Sequence, residues 1–253
     1  MRFTPQLRAL DWLVAKPIAH RGLHVEKSGI VENSESAFAN AIAKGFSIEC
    51  DLQLTADGQA VVFHDDEVDR VLDGKGRVKS FTVKQIQKMK FRGGKDRVQT
   101  LQELLEQVDG RQTIVIEIKS LWDDDMTLTH KILQVLAQYD GPFVVMSFDE
   151  NIVACAAELQ PNIVRGITAD RVTDPYYNML PVSRRISMQS LEHLPRSKPH
   201  FISYYFRDLP FPPVGEISRR GFPIITWTIR SDEDARLARR YCDQVTFENY
   251  IPA

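Results

Sequence analysis

The chain has 253 residues, 43% of them hydrophobic, and its 32 basic and 34 acidic side chains leave a formal net charge of −2. This length is enough to bury one large core, and the mixed charge argues against a nucleic-acid-binding protein and a charged disordered tail. The three cysteines are scattered without a CxxC pair, which argues against a disulfide framework and a zinc knuckle. We therefore expect a cytoplasmic protein with reduced thiols.

The N-terminal segment carries apolar residues at helical spacing, Leu7, Leu10 and Val14, with charged residues between them. We interpret it as a helix that closes one end of the core, with contact to a membrane surface as the less favoured alternative. Pro17 is expected to end this helix before the first strand. No apolar run approaches the length of a membrane-spanning helix, so we predict no stable membrane insertion.

Short apolar runs rich in β-branched residues recur along the chain and are typical of buried strands. Eight of them occupy residues 17–19, 46–52, 60–63, 113–118, 143–147, 163–167, 201–205 and 223–229. Helical stretches lie between most of these runs. Strands that alternate with helices predict an α/β fold, and eight such strands predict a (β/α)8 TIM-type barrel, with an open doubly wound sheet as the alternative.

Two features make the predicted barrel somewhat irregular. A ninth apolar run at residues 245–247 is either a further strand or a closing segment. Only about ten residues separate Asp51 from the next run, which is too few for a helical crossover. If both strands are parallel, an extended return must replace the helix there.

Local signals define the ends of several helices. Residues 34–45 form an amphipathic stretch that ends in a glycine, which suits a helix C-terminus. Thr100 and Glu103 form a capping box that opens a helix to about residue 108. Further helices are predicted at residues 149–160 and from Ser231 to about residue 241.

A long stretch from Asp65 to Gln99 interrupts the alternation after the third strand. It is rich in glycine and basic residues and contains one short helix, opened by Thr82. Connections of this length are mostly functional or disordered. Because the stretch leaves the strand that ends at His64, we expect a small subdomain that walls the pocket and contacts the substrate. The whole chain, residues 1–253, is predicted to be a single domain.

Four polar clusters lie at the ends of these runs or inside them, where unpaired charged side chains are costly. The clusters are IAHRG at residues 18–22, ENS at 32–34, IECDLQL at 48–54 and VVFHD at 61–65. Period-two alternation places Glu49 and Asp51 on one face of a strand, and Glu117 shares a face with Lys119. If these faces look into the barrel, the carboxylates of Glu49, Asp51 and Glu117 converge. Three such oxygen donors without a cysteine favour one divalent cation, Mg²⁺ or Ca²⁺.

Basic and acid–base groups accompany the predicted metal site. A cation together with Arg21 and Lys119 can neutralise a phosphodiester and the charge of its transition state. His20 and His64 can take a proton from the attacking oxygen and give one to the leaving alcohol. These residue types in this order favour chemistry on a phosphodiester.

The ordered set HRG, ENS, E-x-D, HD and E-x-K resembles the motif set of the glycerophosphodiester phosphodiesterase family. The match runs from Ile18 to Lys119, with weaker similarity at Ser147-Phe148 and at residues 226–228. The resemblance implies a TIM-type barrel that hydrolyses glycerophosphodiesters, the deacylated head groups of phospholipids, to an alcohol and sn-glycerol 3-phosphate. It also implies that His20 and His64 form an acid–base pair. The resemblance further implies that the metal ligands are Glu49, Asp51 and Glu117 and that the phosphate contacts are Arg21 and Lys119.

The chain departs from the family pattern at two places. The family usually reads ENT where this chain has ENS, a change that keeps the hydroxyl group. Near the C-terminus the family usually has Thr-Asp after an apolar run, whereas this chain has Thr246-Phe247-Glu248-Asn249. The second difference bears on the leaving-group side of the pocket.

Other functions use parts of the same residue set. A related phosphodiesterase acting on a lysophospholipid or another phosphodiester would need the same metal and histidines and would differ in its loops. A non-catalytic binder of a phosphorylated metabolite would not need an acid–base pair. A barrel enzyme that enolises a carboxylate could use Lys119 as its base, but the adjacent His20 and Arg21 fit phosphate better. We expect a small-molecule substrate, no nucleic-acid partner, and a monomer or small homo-oligomer.

Overall fold

The computed structural model describes residues 10–252. Leu7, which belongs to the predicted N-terminal helix, lies outside the described residues. Contacts within the chain define two compact units. The N-terminal unit contains residues 18–119 and 125–144, and the C-terminal unit contains residues 120–124, residues 145 onwards and the described residues before Ile18. The single-domain organisation stays a prediction.

The helices of the described chain are, in order, α1 (Asp11–Val14), α2 (Glu35–Lys44), α3 (Val83–Ile86), α4 (Leu101–Val108), α5 (Thr127–Leu136), α6 (Glu150–Leu159), α7 (Val182–Ser190), α8 (Leu194–Ser197), α9 (Pro212–Arg219) and α10 (Asp232–Ala238). The strands are β1 (Ile18–Ala19), β2 (Ser47–Leu54), β3 (Ala60–Val62), β4 (Ile114–Ile118), β5 (Phe143–Ser147), β6 (Arg165–Ala169), β7 (Phe201–Tyr205), β8 (Ile224–Ile229) and β9 (Gln244–Phe247). Parallel strands alternate with helices and form the predicted (β/α)8 barrel from β1, β2 and β4 to β9.

The third predicted strand is present, but it is not one of the eight parallel strands of the barrel. We expected residues 60–63 to be one of eight parallel strands, but β3 pairs with β2 in antiparallel register, with Val62 opposite Leu52. The reason is the short connection, which forms a tight hairpin in which Gly58 has a φ of 70° and the Thr55 N–H donates to the Gln59 carbonyl at 3.0 Å. The eighth barrel strand is therefore β9, the run that the sequence left as a strand or a closing segment.

Within the N-terminal unit, β1 and β4 flank β2 in parallel. Ile18 stands opposite Ser47, and Asp51 stands opposite Glu117. These pairings bring the residues that follow β1, the middle of β2 and the C-terminal end of β4 close to one level. The polar residues that follow or interrupt these strands therefore meet there.

The helix signals in this unit are confirmed. The Ser34 side chain accepts from the Ala37 N–H at the start of α2, and Gly45 ends the helix in the left-handed conformation. Thr100 and Glu103 form the predicted capping box of α4. A second capping box, Thr82 with Gln85, opens α3. These are local interactions, so the sequence alone was sufficient to locate them.

One hydrophobic cluster joins the insertion between His64 and Thr100 to residues that precede it in the chain. The buried members are Val31, Val61, Phe63, Val68, Leu72, Val78, Ile86, Phe91 and Val98. Two of these residues, Val61 and Phe63, belong to β3 or follow it directly. The insertion is therefore anchored on the hairpin strand that leads to His64.

In the C-terminal unit, β6 to β9 are parallel neighbours, and helices pack on them. The buried cluster joins Ile167, Ile202 and Ile224 on three successive strands to helical residues such as Val214 and Ile217. Helix α10 ends at Ala238, earlier than predicted.

All three cysteines are free, as expected. Within residues 10–252, no helix is both long and apolar enough to span a bilayer.

Candidate active site

Three buried carboxylates meet on β2 and β4. Glu49 and Asp51 are 1% exposed and Glu117 is 7% exposed. One oxygen atom from each lies within 4.8 Å of the others. The predicted convergence is therefore present. Oxygen donors at this spacing fit a hard divalent cation, which prefers carboxylate ligands.

The three carboxylates differ in their affinity for protons. Burial raises the pKa of Glu49 well above its usual range, and the charges of Asp51 and Glu117 raise it further. Burial also acts to raise the pKa of Asp51, but the charges of Lys119, His64 and Arg21 outweigh it and lower the pKa. A bound cation would favour the charged form of Glu49, because it would offset the burial and the charges of Asp51 and Glu117 that raise its pKa.

Lys119 lies among these carboxylates, as the E-x-K spacing predicted. Its Nζ atom is 2.9 Å from Asp51 Oδ1 and 2.6 Å from Glu117 Oε1. Burial acts to lower the pKa of Lys119, but the charges of Asp51 and Glu117 outweigh it and raise the pKa. Lys119 is therefore a fixed positive charge beside the carboxylates.

The HRG motif forms a sharp turn directly after β1. Arg21 and Gly22 have φ values of 55° and 77°, in the left-handed region that favours glycine. A Cβ atom on Gly22 would lie 2.9 Å from the backbone of Ala37. This close approach requires a glycine, and it turns the backbone N–H of Arg21 toward Glu49 Oε2, to which it donates at 2.8 Å.

The turn also places two side chains at the carboxylates. Arg21 Nε is 3.4 Å from Asp51 Oδ2, and Arg21 Nη1 donates to Glu32 Oε1 at 2.9 Å. His20 Nε2 is 3.9 Å from Glu49 Oε2. Both predicted site residues of this motif therefore lie at the cluster.

The ENS motif supports the same cluster, a role that the sequence did not indicate. The Asn33 side-chain amide donates to Asp51 Oδ2 at 2.8 Å, and its oxygen accepts from the Asp51 N–H at 3.3 Å. Glu32 accepts from Arg21. The third residue, Ser34, caps α2. The motif thus orients one carboxylate and one arginine of the site.

His64 reaches the site through the antiparallel hairpin. The Phe63 N–H donates to the Asp51 carbonyl at 2.9 Å, which fixes the end of β3 beside β2. The Gln53 side chain donates to the His64 carbonyl at 3.0 Å. The direction of β3 was predicted wrongly, but the location of His64 beside the carboxylate strand was not affected.

Two further residues adjoin His64 and were missed as site residues. Asp65 Oδ1 is 2.6 Å from His64 Nδ1, and Arg70 donates to both Asp65 and Glu32. Burial acts to raise the pKa of Asp65, but hydrogen bonds from His64 and Arg70 outweigh it and lower the pKa. The HD dipeptide was a signal for Asp65. No local pattern links Arg70 to Glu32, which lies 38 residues away.

The weaker sequence similarities fall in the C-terminal unit. Trp227 packs edge-on against Phe148, with ring centroids 5.4 Å apart, and lies 5.1 Å from the ring of Tyr205. At the departure from the family pattern, Glu248 accepts from Arg230 Nε at 2.7 Å. Glu248 is therefore held in an ion pair within its own unit.

A (β/α)8 barrel that brings carboxylates, basic side chains and histidines together fits an enzyme acting on a phosphodiester, and the comparisons identify its class as phosphoric diester hydrolases. The family model described as the glycerophosphoryl diester phosphodiesterase family matches residues 20–249. The chain belongs to that family. The predicted resemblance and enzyme class are thereby confirmed.

Relatives from bacteria match most of the chain. YhdW from Bacillus subtilis is 31% identical over 230 residues, which cover 86% of this chain and 87% of YhdW. A glycerophosphodiester phosphodiesterase from Caldanaerobacter subterraneus is 30% identical over 230 residues, which cover 86% of each chain. The similarity thus extends well beyond the motifs at the site.

Solved structures of similar fold support the barrel. A phosphodiesterase from Oleispira antarctica, solved with the product sn-glycerol-3-phosphate, has a TM-score of 0.78 at 21% identity, over 94% of this chain and 95% of that chain. A glycerophosphodiester phosphodiesterase from Thermotoga maritima has a TM-score of 0.70 at 22% identity, over 91% of this chain and 92% of that chain. At this level of identity the likeness concerns the fold.

Proposed function

We propose that the protein hydrolyses glycerophosphodiesters, the deacylated head groups of phospholipids, to an alcohol and sn-glycerol 3-phosphate with the help of one divalent cation. The observation that carries the proposal is the group of three buried carboxylates within 4.8 Å of one another, next to the fixed charges of Arg21 and Lys119. The names of the relatives and the product bound to the Oleispira antarctica phosphodiesterase support the choice of substrate.

Glu49, Asp51 and Glu117 would hold the cation, which we propose to be Mg²⁺ or Ca²⁺ because the donors are all carboxylate oxygens. When bound, such an ion supplies positive charge that stabilises the phosphate and its transition state. Asn33 keeps Asp51 in its orientation. The repulsion among the three carboxylates is the reason that the site favours a cation over an empty state.

Arg21 and Lys119 would bind the phosphate oxygens. Both side chains are held by carboxylates, Arg21 by Glu32 and Lys119 by Glu117. A positively charged side chain that is already held in its orientation loses little conformational entropy when it binds an anion. Arg21 also has a planar fork of donors that matches two phosphate oxygens.

His20 and His64 would transfer the protons. One takes a proton from the attacking oxygen as its bond to phosphorus forms, and the other gives a proton to the alcohol oxygen as its bond to phosphorus breaks. Since Asp65 accepts from Nδ1 of His64, the neutral ring carries its proton there and leaves Nε2 as a base. The attacking oxygen is that of water or, in a route through a cyclic phosphate, the glycerol 2-hydroxyl.

The test is release of sn-glycerol 3-phosphate from glycerophosphocholine and glycerophosphoethanolamine. The protein is assayed in EDTA and then with Mg²⁺, Ca²⁺ or Mn²⁺ restored. We expect release only with a metal. Faster turnover of a lysophospholipid than of either substrate would instead favour the related phosphodiesterase, and release in EDTA would contradict the role of the carboxylates. A cyclic glycerophosphate trapped during turnover would exclude one-step hydrolysis.

We also propose that the protein acts in the cytoplasm as a monomer or small homo-oligomer. The three free cysteines support a reducing compartment. Cell fractionation and the mass of the purified protein in solution test these two statements.

A further inference from the structure

We propose that Arg70 is a positioning residue for the reaction, which holds His64 and Arg21 in their working orientations through Asp65 and Glu32. This inference rests on the proposed function, since it concerns the same site. Arg70 belongs to the insertion between His64 and Thr100, so by this proposal the insertion contributes to the catalytic geometry.

Arg70 uses all three of its nitrogen atoms on two carboxylates. Nε and Nη2 donate to the two oxygens of Asp65 at 2.6 and 3.0 Å. Nη1 and Nη2 donate to the two oxygens of Glu32 at 3.1 and 2.6 Å. This pair of two-point contacts fixes the plane of both carboxylates, which a single-point contact does not.

Each of these carboxylates holds one proposed site residue. Asp65 Oδ1 is 2.6 Å from Nδ1 of His64, and Glu32 Oε1 accepts from Nη1 of Arg21 at 2.9 Å. A carboxylate that rotates freely would leave the His64 ring free to turn and to exchange its tautomer. A freed Glu32 would in the same way release the guanidinium of Arg21.

The exposure of Arg70 distinguishes positioning from a contribution to the core. Its side chain is 47% exposed and that of Asp65 is 25% exposed. Its other partner, Glu32, is 10% exposed and also pairs with Arg21, so that Glu32 retains a positive partner when Arg70 is removed. Ion pairs at this exposure add little to stability, because water screens them and the long side chain loses entropy. The arrangement therefore has its main effect on orientation, and its loss should leave the fold intact.

The first test compares Arg70→Ala with Arg77→Ala. Arg77 is an exposed arginine of the same insertion, and it is a matched control for the loss of one positive charge. We expect Arg70→Ala to lower kcat on glycerophosphocholine by about 10- to 100-fold, because misplaced catalytic groups affect the chemical step. We expect a smaller rise in KM, because the released Arg21 side chain binds the phosphate less well. Dilute guanidinium should restore part of kcat in Arg70→Ala and none in Arg77→Ala. Equal kcat in the two variants would overturn the inference.

The second test asks whether Arg70 acts through His64. If it does, Arg70→Ala should lower kcat by a clearly smaller factor in a His64→Ala background than in the unaltered protein, because one of the two groups that it positions is already absent. Losses that multiply in full would show that Arg70 does not act through His64 and would overturn that part of the inference. Thermal unfolding midpoints within about 3 °C of the unaltered protein verify that each variant is folded.

A third measurement does not depend on the substrate. The ¹⁵N shifts of His64 report which ring nitrogen carries the proton, and we expect one tautomer in the unaltered protein and an average of two in Arg70→Ala. Shifts that do not change in Arg70→Ala would contradict the inference. If the unaltered protein turned over no glycerophosphodiester, the proposed function would fail while this measurement would still decide the role of Arg70.

Discussion

At the scale of single residues, the site separates groups that carry charge from groups that move protons. Lys119 lies between two carboxylates at 2.6 and 2.9 Å and stays charged. Asp51 is buried beside it and stays ionised. His20 and His64 lie at the margin of this cluster, where a ring nitrogen can face a substrate. The distinction leads to different expectations for the histidines and the carboxylates.

Removal of either histidine should affect the chemical step. We expect His20→Ala and His64→Ala each to lower kcat by about 100-fold or more, because each removes one of the two proton-transfer groups. The measurement is the steady-state rate on glycerophosphocholine at saturating metal. His130→Ala is the control, since His130 is an exposed residue of α5. Activity equal to that of the control would remove the histidine concerned from the acid–base role.

Removal of a carboxylate charge should affect the metal requirement first. Glu49→Gln keeps the size of the side chain but removes the negative charge and one anionic ligand. We expect the concentration of Mg²⁺ or Ca²⁺ at half-maximal rate to rise by about tenfold or more. The readout is the rate as a function of metal concentration. A metal titration identical to that of the unaltered protein would contradict the assignment of Glu49 as a ligand.

At the scale of elements, short turns determine where the strand-end residues lie. The hairpin after β2 returns the chain antiparallel, so that Phe63 bonds to Asp51 and His64 follows it. The turn after β1 brings Gly22 against the backbone of α2. The strand register brings the site residues to one level of the sheet, and these turns place the residues that follow the strands beside the carboxylates.

A pair of glycines tests the importance of the turn after β1. Gly22 and Gly45 both have a φ of 77°, but a Cβ atom would meet Ala37 at 2.9 Å on Gly22 and nothing within 4 Å on Gly45. We expect Gly45→Ala to lower the free energy of unfolding by about 1 kcal/mol from backbone strain alone. Gly22→Ala should lower it by about 2–4 kcal/mol, because steric overlap adds to the strain. Urea denaturation measures both, and equal losses would show that the close approach carries no cost.

At the scale of the whole molecule, the free energy of unfolding should depend on pH through His193, a buried histidine that is not one of the predicted site residues. His193 is 6% exposed, and its Nδ1 atom is 3.1 Å from the Ser197 hydroxyl. Burial, with the nearby charges of Arg196 and Arg184, lowers the pKa of His193 to about 4. The folded protein therefore keeps this ring neutral under conditions in which the unfolded chain protonates it.

The sign of the effect follows from proton binding. Between pH ~6.5 and pH ~4 the unfolded chain binds a proton at His193 that the folded chain does not, so the free energy of unfolding falls as pH falls, by about 3 kcal/mol in all. Glu49 opposes this trend in the unaltered protein, since its raised pKa makes the folded state bind the extra proton. The comparison with His193→Gln cancels that contribution.

The measurement is urea denaturation at pH 7 and at pH 4.5. We expect the unaltered protein to lose about 2–3 kcal/mol more than His193→Gln on acidification. His130→Gln, an exposed histidine, should behave as the unaltered protein does. The same loss in His193→Gln would show that His193 is not the group responsible.

The barrel and the centre of the site could be predicted from the sequence because their signals are local. Alternation along a strand placed Glu49 and Asp51 on one face, and the structure brings both within reach of Glu117. The terminal Gly45 located the end of α2, and the Thr100–Glu103 capping box located the start of α4, because both signals involve only residues a few positions apart. The roles of these residues in catalysis stay predictions for the experiments above.

Only the tertiary structure decided the direction of β3 and the environment of His64. The apolar run at residues 60–63 has the same composition whether it pairs parallel or antiparallel, and the choice depends on which strand edge the short connection allows it to reach. Arg70 contacts Glu32, which lies 38 residues earlier in the chain, and a periodic sequence pattern gives no information on a contact at that separation. The opposite directions of the pKa shifts of Glu49 and Asp51 likewise depend on groups from distant parts of the chain. Both carboxylates lie on one strand face and are buried, and the charges that the fold places around each shift their pKa values in opposite directions, so their chemistry depends on the packed structure.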